Sequence, residues 1–570
     1  MLDSSLGRRR TPVLKFSGVL VSIFYTASAL AAQPNAGQIL QIQPTPPAPP
    51  VAPPAQITPA MPEKAAPSKG PKILVKGFRI KGAVLIPESE LQAQIKGAIG
   101  HELTLEQIKA TGLLITLYYA EKGYLARVIV PPQDIRDGIV ELHVIEGRRG
   151  SLNVDKVGAR IDIARIRDFI DQRVPQDKVL NLAELGEALN ILNEQPGVSA
   201  RASLVPGSHE GEIGIDVKAT AQPLLRYTVG LNNQGMHGTG EAQANGSVTL
   251  NNPTGHFDAA SLLYNKSQGT DYARADYSLA AGDSGLRLGA NASHLRYQLI
   301  TAQFAALQSN GTADGAGASA TYPIARRTDF NLSLTGSYED TKLVDRTIAG
   351  ETSNRVLDVF DAGLSGYVVK WGGVESFGAD IVSGNTNQHN AAALATDATT
   401  RRVQGHFDKL AYNFGWLKGL SQHWNLNATL HGQFADKNLD AYQQIILGGP
   451  NGVRAYPVGE GIGDQGWIAN INLNRQLGQR LTGTLFYDAG TVMLNHSLWA
   501  NWNAANPNLP NIYTLMGVGA GIDWRINSDC LLTASIANPL GNNPGADINH
   551  LNVDGYGNHA RAWLAFNANF

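Results

Sequence analysis

From residue 223 to the C-terminus the chain alternates apolar and polar side chains, stretch after stretch, and this two-residue period limits the possible folds more than any other feature of its 570 residues. Leu225, Tyr227, Val229 and Leu231 fall on one face, with Arg226, Thr228 and Gly230 on the other. Phe330, Leu332, Leu334 and Tyr338 alternate with Asn331, Ser333, Thr335 and Ser337. Trp424, Leu426, Ala428, Leu430 and Phe434 alternate with Asn425, Asn427, Thr429, His431 and Gln433. Met516, Val518, Ala520, Ile522 and Trp524 alternate with small or polar residues. In a soluble sandwich the apolar faces would meet one another. Here the polar face is rich in Asn, Thr, Ser and Gly, which suits a wet lumen, and aromatics stand near strand ends, where membrane interfaces place them. Past the N-terminus there is no apolar run of the about 20 residues a spanning helix needs, whereas a spanning strand needs only about 10.

The expectation is a transmembrane β-barrel over residues 223–570. Strands are expected near 225–234, 241–252, 258–267, 271–281, 285–297, 315–325, 328–338 and 356–370. They continue near 374–384, 401–416, 422–435, 467–475, 481–491, 513–526, 530–538 and 561–570. That makes sixteen antiparallel strands, an even number as in single-chain bacterial barrels, enclosing a lumen wide enough to conduct. The last strand sets Leu564, Phe566, Ala568 and Phe570 on one face and ends in an aromatic residue. Such a barrel must reach an outer membrane, and residues 1–32 supply an export signal. Arg8, Arg9, Arg10 and Lys15 precede an apolar stretch from Phe16 to Tyr25, and Ala29-Leu30-Ala31 offers the small residues of a cleavage site. A formal charge of −2 excludes an electrostatic case for nucleic acid. The single cysteine, Cys530, excludes a disulfide framework and a multi-cysteine metal site.

Between signal and barrel the composition shifts twice. Residues 33–71 are dense in proline from Pro44 onward and should form an extended tether, with a short stretch at 35–41 able to make a turn or two of helix; a disordered N-terminus is the simpler expectation there. Residues 72–147 and 148–222 then form two small α/β units, each in the order β-α-α-β-β. In the first, Thr104 and Gln107 make a capping box ahead of a helix with Leu105, Ile108, Gly112, Ile115 and Tyr119 on one face. In the second, Asn181 caps a helix whose buried face carries Leu182, Leu185, Leu189 and Leu192. Units of this size have thin cores, so their exposed sheet edges matter.

One segment breaks the alternation: residues 447–466, dense in glycine and therefore able to bend tightly and approach a wall closely. It contains Gly448, Gly449, Val453-Arg454-Ala455-Tyr456, Gly459-Glu460 and Gly463-Asp464. Downstream, Thr482, Thr484, Phe486 and Asp488 face the lumen by alternation. The segment resembles the inward-folded loop of two-partner secretion transporters (the TpsB family, of the haemolysin and filamentous-haemagglutinin secretion type). Their hallmark is Val-Arg-Gly-Tyr or Val-Arg-Gly-Phe, here with Ala455 in place of Gly. The family's second motif matches Phe486-Tyr487-Asp488-Ala489-Gly490.

The resemblance implies that Arg454 enters the lumen and pairs with Asp488, and that the two small units are periplasmic POTRA domains, the first showing Gly123-Tyr124, Gln133 and Glu146-Gly147. It likens residues 35–41 and the tether to the family's plug helix and linker, although a helix this short fits poorly as an occluding plug. It also implies the partners. These are a secreted exoprotein, large, β-helical and encoded nearby, together with outer-membrane lipid and the barrel-assembly machinery, which would read the terminal strand with Phe566 and Phe570. The implied function is export, with activation of the exoprotein, and no nucleotide is used. A barrel-assembly factor and a passive porin are the alternatives. No catalytic residue, metal or cofactor is expected: Gly282-Asp283-Ser284-Gly285 has the residues of a hairpin turn, and His431 is a lone lining residue.

Overall fold

The computed structural model describes residues 33–45, 57–58 and 70–570. The export signal at 1–32 and most of the proline-rich tether lie outside the described residues.

Ahead of the first unit, α1 (Ala36–Gln41) and a two-residue strand β1 (Ile57–Thr58) are placed. The first unit comprises β2 (Lys72–Leu74), β3 (Gly77–Lys81), α2 (Glu88–Ile95), β4 (Glu102–Thr104), α3 (Leu105–Glu121), β5 (Ala126–Ile129) and β6 (Ile139–Glu146). Its main sheet runs β3-β6-β5, while β2 pairs with β4 apart from it. The expected capping box is present: the Thr104 hydroxyl accepts from the Gln107 amide and the Gln107 side chain accepts from Thr104 N–H. Ile108, Ile115 and Tyr119 pack on Val140 and Leu142. Leu105 does not join them. As the first helical residue it points outward and stays 50% exposed, and Thr111 is buried beside Ile108, Gly112, Ile115 and Tyr119.

The second unit comprises β7 (Arg148–Val157), α4 (Ile163–Arg173), α5 (Leu182–Asn193), β8 (Val198–Pro206) and β9 (Glu212–Ala221). The Asn181 side chain accepts from the amides of Ala183 and Glu184, so the expected cap is formed. Leu185, Leu189 and Leu192 are fully buried over Ile215 and Val217. The sheet order is β1-β8-β9-β7, so the short tether strand β1 lies parallel along the β8 edge.

The remaining strands close a barrel of sixteen. They are β10 (Leu225–Asn232), β11 (Gln243–Asn251), β12 (Ala259–Lys266), β13 (Thr270–Ala280), β14 (Arg287–Gln298), β15 (Asn310–Arg326), β16 (Phe330–Thr347) and β17 (Gly350–Lys370). Then follow β18 (Gly373–Gln388), β19 (Gly405–Gly419) and β20 (Trp424–Ala435), and, after a long loop, β23 (Gln465–Gln476), β24 (Leu481–Met493), β25 (Ile512–Arg525), β26 (Cys530–Pro539) and β27 (Arg561–Asn569). The loop itself carries a small pair, β21 (Ile445–Ile446) with β22 (Ile462–Gly463). Neighbours pair antiparallel throughout, and β27 closes on β10 with Phe566 opposite Leu231. Phe570 extends that seam: its N–H donates to the Tyr227 carbonyl, and the two rings stack with centroids 5.0 Å apart.

The expected alternation holds around the wall. Leu225, Val229, Leu262, Leu334, Phe434, Leu485 and Leu564 face outward and exposed, while Asn and Thr face in. Strands β15–β18 are longer than expected at their far ends, the ends remote from the small units. At the far ends of β12, β14, β16 and β17 the inner face turns apolar, through Leu263, Leu295, Leu343 and Leu357.

The second unit is seated beneath the barrel at its near mouth. Arg165 Nη1 donates to the His256 carbonyl at 3.0 Å, and Arg173 Nη2 donates to the Ser284 carbonyl at 2.6 Å. Arg326 at the end of β15 bonds Glu194 through Nε at 2.6 and 2.8 Å. The Gly282–Gly285 segment is thus a hairpin turn that serves as a docking surface.

Candidate functional site

Two elements occupy the lumen. The first is the long loop between β20 and β23. Its bends need glycine where φ turns positive, at Gly449 (+117°) and Gly459 (+93°), and at Gly448, where a Cβ would lie 2.2 Å from the Pro457 carbonyl oxygen. The tip is closed by backbone bonds from Val453 N–H to the Leu447 carbonyl (2.7 Å) and from Gly449 N–H to the Tyr456 carbonyl (3.1 Å). Tyr456 is wholly buried beneath it. Ala455, where the motif has glycine, does not adopt positive φ, and its methyl group lies against Gly517 of β25, which has no Cβ to obstruct it.

This tip delivers Arg454 to the wall midway along β24. Its Nη2 meets Asp488 Oδ1 at 2.6 Å and its Nε meets Oδ2 at 2.8 Å, a forked pair, while its own backbone N–H adds a third bond at 3.1 Å. Nη2 also donates to Asn472 Oδ1 at 2.8 Å, and the guanidinium lies 3.5 Å over the Phe486 ring. Asp488 is completely buried and accepts a further bond from Asn470 Nδ2 at 2.8 Å. Trp563 of β27 donates its Nε1–H to the Arg454 carbonyl at 2.8 Å. Asn470, Asn472 and Trp563 are contacts that reading the sequence did not single out; the inward register of β23 was the one signal available for the two asparagines.

The loop's base is held by its acids. Glu460 accepts from Asn543 Nδ2 (2.8 Å) and Val553 N–H (2.9 Å), tying it to the 540–560 loop. Asp464 accepts from Leu439 N–H, Gln444 Nε2 and His496 N–H at 2.7–3.0 Å. Gly463 sits so close to β24 that a Cβ would meet the Met493 carbonyl oxygen at 2.3 Å.

The second element is α1, lodged at the far mouth, and here the expectation of a disordered N-terminus is corrected. Asn35 and Gln38 form a capping box that makes six residues hold as a helix, and Ala36, Ile39 and Leu40 bury into the apolar inner patch. The helix start meets a buried charge cluster: Ala36 N–H donates to Asp345 Oδ1 at 2.8 Å, and Arg355 bridges Asp345 (2.7 Å), Asp440 (2.5 Å) and Asn35 (3.3 Å). Gly37 abuts the loop's root, where a Cβ would stand 2.8 Å from Tyr442 N. Both intruding elements therefore share one anchor in Arg355.

In the first unit the motif residues gather at joints. Gly123 (φ +84°) ends α3, and its carbonyl accepts from Leu182 N–H at 2.8 Å; Tyr124 bridges to Asn181. The Gly147 carbonyl accepts from Leu180 N–H at 2.8 Å, so this pair of glycines fixes how the two units abut. Gln133 pins its loop to Glu141 through both side-chain amide atoms, at 2.7 and 2.8 Å. Glu146 Oε1 accepts from Tyr119 OH and from the amides of Val84 and Leu85, each at 2.8 Å. Burial, and then the bond to Glu146, hold the Tyr119 hydroxyl well above its ordinary pKa, so it remains a donor. Among the described residues no His, Cys, Asp and Glu cluster has metal-binding geometry.

Comparisons with known proteins agree with this architecture. The family described as "Haemolysin secretion/activation protein ShlB/FhaC/HecB" matches residues 211–523, more than half of the chain, and the ShlB-type POTRA domain matches 73–147. The chain is 27% identical over 466 residues to the heme/hemopexin transporter protein HuxB of Haemophilus influenzae (strain 86-028NP), covering 80% of this chain and 81% of that one. It is 23% identical to the outer membrane transporter CdiB of Dickeya dadantii, with 72% and 74% covered. The solved structure of CdiB from Escherichia coli superposes with a TM-score of 0.68 at 20% identity, covering 98% of this chain and all of that one, which speaks to the fold alone.

Proposed function

Since the chain belongs to the haemolysin secretion/activation protein family, outer-membrane two-partner secretion transporters that each work with a cognate secreted exoprotein, we propose that it selects one such exoprotein in the periplasm and exports it through the barrel without nucleotide hydrolysis. The observation that carries this reading is that the wide barrel is obstructed by two intruding elements, α1 and the loop bearing Arg454, each held by side-chain contacts that can be exchanged. A passive porin has no use for such removable obstructions, nor for two small domains seated under its mouth.

The POTRA units receive the client. In the first unit β5 is an edge strand, flanked at the junction with the second unit by a groove lined by Leu125, Arg127, Ile145 and Ile213. An unfolded client can add a strand to such an edge, where backbone bonds bind it and side-chain pockets discriminate. Arg454 and Asp488 set the resting position of the loop, which must shift or be skirted as the client passes. The client we expect is a large β-helical protein encoded nearby, whose folding outside makes transit one-way and which is activated by release. The barrel itself is inserted by the assembly machinery, which reads the terminal strand through Phe566 and Phe570. A barrel-assembly role would entail many clients, whereas the family favours one.

The test is secretion of the protein from the adjacent reading frame in a Gram-negative host. Deleting residues 72–222 should abolish its appearance outside while the barrel still inserts. Undiminished secretion by the deleted form would overturn the role given to the small units.

A further inference from the structure

Beside α1 and the loop lie two chambers, of about 760 and 470 Å³, that meet at the loop tip: Gln234, Pro450 and Asn451 line both. Their walls have an unusual chemistry. In the chamber nearer the small units, Asn425 and Asn427 of β20 stand directly across from Asn474 and Asn472 of β23. Asn474 Nδ2 donates to Asn425 Oδ1 at 2.8 Å and its Oδ1 accepts from Thr484 Oγ1 at 2.8 Å, so these amides are held in a lateral ladder. The far chamber continues the pattern on other strands, with Asn232 of β10 paired to Gln243 of β11, followed by Asn245 and by Asn413 of β19.

Charge is scarce among the residues that line these two chambers. Besides His431, the ionisable lining residues that acid–base chemistry charges are Asp380, Asp523 and Arg454, and Arg454 is already neutralised by Asp488. A carboxamide carries both a donor and an acceptor, as a peptide group does, and it bonds either directly or through water. A chain leaving bulk water must keep its peptide groups bonded or lose free energy at each one. A charged wall would hold clients of opposite charge and repel those of like charge. Conduction instead needs contacts favourable enough for entry and weak enough for departure. Residues 41–45 of the chain itself line the far chamber, held through side-chain amides: Gln41 Nε2 donates to the Gln444 carbonyl and Gln43 Oε1 accepts from Asn265 at 2.9 Å. A wall amide of β23 already bonds a peptide group, Asn470 Nδ2 donating to the Gly452 carbonyl at 2.8 Å.

We propose that the amide ladder of β20 and β23, continued by the amides of β10 and β11, is a charge-neutral track that hydrogen-bonds the peptide groups of an extended client in transit. Its ligand is the polypeptide backbone and not any side-chain pattern, so the pore passes what the POTRA units have selected. This rests on the export reading above.

The triple variant Asn425→Leu, Asn427→Leu, Asn474→Leu keeps side-chain volume, removes the amides and touches none of the contacts of Arg454. At matched abundance of folded barrel, its export rate should fall about fivefold, the effect of roughly one net hydrogen bond lost in the slow step. The corresponding Gln triple should recover most of that rate. Export by the Leu triple at the parental rate, or a Gln triple as slow as the Leu triple, would overturn the track. A client-free measurement separates this from failure of the export reading. In planar bilayers the purified protein should discriminate weakly between cations and anions, and Asp at the same three positions should raise its preference for cations severalfold. Unchanged selectivity would show that these residues do not line the conduit, whether or not a client has been found.

Discussion

Arg454 shows how much one side chain can organise when its geometry is planar and forked. It spends two bonds on Asp488, one on Asn472 and its face on Phe486. Lysine would keep the charge but lose the fork and the stacking. Arg454→Lys should therefore reduce export at least about fivefold, close to the loss in Arg454→Ala or Asp488→Ala, with the barrel still inserted. A lysine variant secreting at the parental rate would show that charge alone places the loop. In the first POTRA unit, Tyr119→Phe removes one of three donors from the carboxylate of Glu146, which is buried. It should cost that unit about 1–3 kcal/mol, read by chemical denaturation of the isolated periplasmic fragment against its parent. The Arg454–Asp488 pair was legible in the sequence through a motif and a strand register. Trp563 was not, because its bond to the Arg454 carbonyl joins residues 109 apart and no local pattern signals it.

At the scale of elements, the strands were the most legible and α1 the least. A six-residue helix is unstable alone, since so few internal bonds cannot offset the cost of nucleation. It exists because the inner wall supplies Leu263, Leu295, Leu343 and Leu357 for its apolar face and Asp345 for its first amide. These inward leucines broke the expected polar inner face, and the exception was the sign of an occupant. Gly37 leaves no room for a Cβ in that fit. Gly37→Ala would drive a methyl group into the Tyr442 backbone, an overpacking of about 1–3 kcal/mol. The helix should leave the mouth more often, and single-channel recordings should show open events severalfold more frequent than in the parent. Recordings indistinguishable from the parent would mean that α1 does not limit conductance.

The whole molecule depends on how the second POTRA unit is seated. Arg326 belongs to the barrel by sequence, yet it bonds Glu194 of that unit as well as Asn331 and Ser333 of the wall. Arg326→Ala should leave the barrel's resistance to heat and detergent unchanged. Amide exchange in α5 and in the 281–286 turn should become about tenfold faster, as removal of a largely buried ion-pair partner would produce. Exchange unchanged in both segments would place the rigidity of the joint elsewhere, in the Phe169–Phe257 contact or the Arg173 bonds.

The sequence by itself determined the class of fold, the sixteen strands, which way their side chains face, the two α/β units with their helix caps, and the loop that leaves the wall. All of these follow from periodicity or from contacts a few residues long. Tertiary structure alone decided what fills the cylinder and how its parts are joined. The seating of α1, the ladder of amides across β20 and β23, the bond from Trp563 and the Arg326 joint each bring together residues far apart in the chain. Such contacts are set when the ring closes and its curvature brings distant strands into register, and no repeat along the chain records where that will be.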